Sequence, residues 1–188
     1  VIEGLSSQNL KKLSKAKKKV KNLEESIHDL RSNLFSFIRK LDDNSVEASR
    51  FSIDTLVHIQ DIIEDIDYLV NISYDPINNN HSKLKLSQIR GLKEISQLID
   101  LLLQGSINAF EDNSLKQLGE VLGKKEDMIA TIDDKINEQI SLTRVEERSP
   151  KNTRLYFNIL LKSKDLIRHK IILVDSFYQT TNQLKTNL

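Results

Sequence analysis

Apolar residues recur along most of the chain at steps of three and four, the period of an amphipathic helix. The first stripe is Leu10, Leu13, Val20, Leu23, Ile27, Leu30, Leu34, Phe37 and Leu41. It stops at the polar stretch Asp42 to Ser45, where Asn44 and Glu47 have the form of a capping box. A second stripe, Ile53, Leu56, Ile59, Ile63, Ile66 and Val70, ends near Ser73. The stretch Asp75 to Lys85, with Pro76 and a run of asparagines, reads as the clearest loop. Ser87 caps a third segment, with Ile89, Leu92, Ile95, Ile99, Leu102, Leu103 and Phe110 on its stripe.

Ser114 and Gln117 form another box ahead of a fourth segment carrying Leu118, Val121, Leu122, Ile129, Ile132, Ile136 and Ile140. Ser149 as cap and Pro150 at the first helical position open the fifth, which runs from Tyr156 through Ile167, Ile171 and Val174 to Leu184. The pattern predicts an all-α fold: an elongated, antiparallel, up-and-down bundle of about five long helices, each of about 25 to 37 residues. One domain spans residues 1–188, with degenerate repeats over 1–110 and 111–188 as a possible internal division.

Composition agrees with long helices. Five Gly, two Pro, no Trp and 5% aromatics are poor material for sheet. With no cysteine, disulfides, thiolate metal sites and Cys nucleophiles are excluded. A net charge of +1 supplies no global field for nucleic acid, so no nucleic-acid partner is expected. No apolar run reaches the roughly 20 residues that span a bilayer. The chain opens VIEGLSS, without an initiator Met, and reads as a fragment of a longer protein.

The second segment holds four carboxylates close together: Asp61, Glu64, Asp65 and Asp67. Three readings stand open. On a helical wheel centred on Ile66, Asp61 and Glu64 fall on the far side and Asp65 and Asp67 on opposite flanks, which suits a solvated face. Asp61, Glu64 and Asp65 are also spaced as surface neighbours, so they could form an oxygen-only patch for a hard divalent or ferric ion. The third reading comes from an internal similarity. Asp61 to Val70, DIIEDIDYLV, lies over Asp165 to Val174, DLIRHKIILV, at an offset of 104 residues. In that alignment Glu64, Asp65 and Ile66 correspond to Arg168, His169 and Lys170, acidic in one copy and basic in the other. Packing of the two segments would then join Arg168, His169 and Lys170 to the acids as an interhelical charge network.

The stretch DIIEDIDYLVNI resembles the signature of PhoU domains, with Asp67, Tyr68, Leu69, Val70, Asn71 and Ile72 matching its tail. A duplicated acidic-motif helix in a long bundle is also similar to that family. The loop SYDPINNNHSKLKLSQI, from Ser73 to Ile89, resembles PhoU-type regions that follow the membrane part of sodium–phosphate cotransporter-like proteins. The resemblance implies a non-enzymatic regulatory or accessory domain in phosphate transport, acting through helix–helix contacts. It implies a membrane transporter domain in the same chain as partner, or a second copy of this chain as a homodimer. It also implies a cytoplasmic location, tethered to the inner membrane through an N-terminal region. The alternative is a helical scaffold or coiled-coil interaction module unrelated to phosphate.

Lys11, Lys12, Lys15, Lys17, Lys18, Lys19 and Lys21 crowd the start of the first long segment. They read as a solvated face or, with a membrane segment upstream, as a membrane-proximal basic patch meeting an anionic surface. No Gly-rich phosphate loop, nucleophile elbow or zincin motif occurs, so neither an enzyme nor a resident cofactor is expected.

Overall fold

A computed structural model describes residues 1–40, 46–145 and 149–186, and the side chains of 46–48 and 184–186 are not described. Seven helices stand among the described residues: α1 (Ile2–Ser6), α2 (Leu10–Ile38), α3 (Val46–Asn78), α4 (Leu86–Glu111), α5 (Leu115–Gly123), α6 (Lys125–Val145) and α7 (Pro150–Thr186). There are no strands among these residues. The fold is an all-α bundle. The Asp42–Ser45 break, the Asn44–Glu47 box, and the stripe positions Leu41 and Leu184 lie outside the described residues or side chains.

Helix ends follow local chemistry. Gln8, Asn80 and Asn113 adopt positive φ, the left-handed conformation that terminates a helix. At Asn80 the next residue's N–H reaches back to Pro76 O at 2.8 Å while its own reaches Ile77 O at 3.1 Å, a Schellman closure. Asn113 closes α4 in the same way, with Ser114 N–H on Ala109 O at 3.0 Å. Ser114 then serves the next helix, its Oγ accepting from Gln117 N at 3.3 Å. Only half of the expected box forms there, because the Gln117 amide donates to Asp112 instead, at 3.1 Å.

Three boundaries differ from expectation. The expected loop at Asp75 begins only after Asn78, because Pro76 sits in the last turn of α3. A proline there interrupts one ladder bond near the helix end and is tolerated. Lys85, not Ser87, is the N-cap of α4, its N–H donating to Gln88 Oε1 at 3.0 Å. The fourth segment is split at Lys124, whose N–H turns to Val121 O at 3.2 Å. Gly123 precedes the break, exposed and with open space where a side chain would stand. The short α1 has too few apolar positions to register as a periodic stripe.

α7 is the central helix, packing against α3, α4, α5 and α6. It runs antiparallel to α3: Phe51 meets Phe177 with ring centroids 5.1 Å apart near one end, and Lys162 lies 5.3 Å from the Tyr68 ring nearer the other. The core gathers around Leu160, Ile167 and Val174 of α7, Ile132 of α6, and Leu92 and Ile95 of α4. α2 packs on a neighbouring side of α3 through Val20, Ile63 and Val70, and Ile59 and Ile66 of α3 touch both this contact and the main core. Among the described residues α3 and α4, though consecutive, do not pack backbone to backbone, and α1 bridges them at one end.

Candidate functional site

The two similar segments pack against each other. Asp65 points into the α3–α7 seam, its side chain 3% exposed. One carboxylate oxygen accepts from Lys162 Nζ at 2.9 Å, and the other faces His169 Nδ1 at 2.7 Å. Lys162 and His169 are seven residues apart, about two helical turns, so both sit on one face of α7 with Asp65 between them. An ionised carboxylate only accepts, so this contact places the ring proton on Nδ1. The Asp65 contact holds the Lys162 ammonium pKa above its ordinary value. Asp65 and His169 are the positions related by the 104-residue offset.

The other expected charges go elsewhere. Asp65 is not on a flank in water, because α7 covers the side of α3 it occupies. Glu64 is exposed and accepts from Gln60 at 2.8 Å, Asp67 accepts from Asn71 at 2.7 Å, and Asp61 is half-buried. The four acids of Asp61 to Asp67 therefore point in different directions instead of converging. Among the described residues no group of three or more His, Asp or Glu side chains is placed to hold a metal ion. Arg168 stays on its own helix, 3.6 Å from Asp165. Lys162, the cation that does reach Asp65, lies outside the aligned decamer, and only a helical wheel of α7 set against α3 could have suggested it.

Lys170 turns the other way, into the core. It is 8% exposed, with Nζ 5.2 Å from the Phe110 ring centroid and no ion-pair partner among the described residues. Burial pushes its pKa down from the usual 10.5. The cost of keeping it charged is present in full below the folded-state pKa. It is relieved as pH rises from that value towards 10.5. Lys170→Met is expected to stabilise the fold by about 1 kcal/mol near neutral pH, read as a higher urea midpoint. The gain shrinks in alkaline buffer. An unchanged or lower midpoint at neutral pH would refute the account.

The lysines of α2 divide by partner. Lys12 pairs with Glu3 of α1, and Lys17 lies 4.6 Å over the Tyr74 ring. Lys11, Lys15, Lys18, Lys19 and Lys21 are exposed and carry no ion-pair partner among the described residues. No helix among the described residues is long and apolar enough to cross a membrane.

The apolar stripe of α2 has a finer order than its periodicity alone. Leu13, Ala16, Val20, Leu23, Ile27, Leu30, Leu34 and Phe37 alternate steps of three and four without a break, the a/d seam of a coiled coil. One row of that seam, Leu13, Val20 and Ile27, packs on the body of the protein. Of the other row, Leu23, Leu30 and Phe37 are 47%, 49% and 57% exposed. The chain matches no protein-family model, no curated protein and no solved structure.

Proposed function

We propose that this chain is a non-enzymatic regulatory or accessory domain that works by helix–helix contact. The observation that carries the reading is the half-used seam of α2. A strict a/d row is selected against in solvent, where it costs solubility and gains nothing, unless another helix covers it. The PhoU-like stretch Asp61 to Ile72 suggests the setting, a sodium–phosphate cotransporter-like membrane protein whose transporter domain is the contact. Lys11, Lys18 and Lys21, exposed and without an ion-pair partner among the described residues, suit a place beside anionic headgroups.

The test measures phosphate uptake in cells that carry the intact gene, or the same gene with Leu23→Glu and Leu30→Glu. Both residues are about half exposed, so the fold is expected to survive the change. Altered uptake at unchanged protein abundance supports the reading. Uptake identical to wild type removes the phosphate link.

A further inference from the structure

α3 and α4 stand apart, and the corner they leave over α7 is only partly filled. α1 occupies one end of that corner, touching α2, α3 and α4. Beside α1 lies an open cavity of about 250 Å³, walled by Ile66 and Leu69 of α3, Ile95, Ile99 and Leu103 of α4, and Leu166 of α7. The exposed row of α2 looks into the same corner. Lys12, which pairs with Glu3 of α1, precedes Leu30 by 18 residues, or about five turns, so the two share one azimuth on the helix. On the opposite wall Ile107, one turn past Leu103, is 45% exposed and continues the α4 row. The α2 wall from Leu23 to Phe37 is roughly 20 Å long, enough for about four turns of helix.

We propose that this corner is a docking groove for an acidic amphipathic helix of a partner protein, with α1 filling its first turn. The proposal deepens the helix-contact reading above and rests on it. α1 is a specimen of what the groove accepts. Its Ile2 and Leu5, three residues apart, turn to the core, and Glu3 between them reaches Lys12. Further along the same side of α2 stand Lys15 and Lys19, seven residues beyond Lys12 in the latter case, with no carboxylate opposite them among the described residues. A docked helix with apolar residues at a and d and acids on one flank would complete both rows. A membrane is less suited, because a flat bilayer does not reach an apolar edge that faces into a concave corner. A second copy of α2 in parallel alignment would set its lysines against Lys15 and Lys19.

The test titrates the protein with a fluorescent synthetic helix of about four turns carrying Leu at a and d and Glu along one flank. Its counterpart carries Lys in place of Glu. The Glu helix is expected to bind wild type, and Leu30→Glu to weaken that binding about tenfold or more. The Lys helix is expected to bind about tenfold more weakly than the Glu helix. Melting curves of Leu30→Glu matching wild type separate a lost site from a lost fold. No binding, binding unchanged by Leu30→Glu, or equal binding of both helices overturns the proposal. So does a wild-type dimer that Leu30→Glu dissociates, which would make a second copy the occupant, or anionic-vesicle binding that Leu30→Glu abolishes. Helix binding with unaltered phosphate uptake removes only the transport setting. Altered uptake without helix binding removes only the groove.

Discussion

Ile167→Ala is expected to lower stability by about 2–5 kcal/mol, among the largest effects of any single truncation here. Ile167 is fully buried in α7, the helix that touches α3, α4, α5 and α6, so its methyl groups meet core atoms on every side. Truncation removes the transfer energy of those groups and leaves a hole between helices too long and too well tied to collapse into it. For a chain of 188 residues the loss corresponds to a fall in Tm of roughly 10 °C. Leu161→Ala, six residues earlier on the exposed face of the same helix, is the control and is expected to change stability by less than about 0.5 kcal/mol. Calorimetry of the two variants checks both values. Equal shifts would mean that α7 is not the centre of the bundle.

The second large effect concerns the buried carboxylate. Lys162→Met with His169→Leu leaves Asp65 in the α3–α7 seam with neither of its hydrogen-bond partners, and is expected to cost about 3–5 kcal/mol at neutral pH. Asp65→Asn is expected to cost much less, about 1–2 kcal/mol. The asymmetry follows from exposure. The side chains of Lys162 and His169 are about a third exposed, at 27% and 33%, and can turn to water when their partner goes, whereas the Asp65 side chain at 3% cannot. Adding Asp65→Leu to the double variant is expected to recover most of the loss, because three apolar groups pack where one unpaired charge could not. Urea unfolding of the set provides the comparison. A double variant within about 1 kcal/mol of wild type would show that Asp65 finds water after all.

The helical plan was legible because each long helix carries its own evidence. A stripe at steps of three and four needs no partner to be recognised, and caps such as Ser114 and the Pro150 start are local chemistry. Local signals also misled at definite places. Pro76 and the asparagines after it looked like loop from Asp75 onward. A proline in the final turn sacrifices little, so α3 continues to Asn78. The fourth stripe was continuous on paper, yet the helix yields after Gly123, which brings no side chain to that turn and stands exposed.

The charges were legible only in part, for the same reason. The offset between the two similar segments put Asp65 opposite His169, which are in contact. It put Lys170 among the same cations, and Lys170 is buried beside Phe110. An alignment relates positions along two helices. It does not fix the rotation that decides which flank of each helix meets the other.

By itself, then, the order of residues determined the helices, most of their ends, and the stripe each must hide, because these depend on interactions within a few turns. The tertiary structure alone decided that α7 stands at the centre, that Asp65 is sealed while Glu64 stays in water, and that half of the α2 seam remains uncovered. Those outcomes depend on which stripes find each other and at what rotation, and apolar faces of similar width satisfy one another in several ways that no single helix can distinguish.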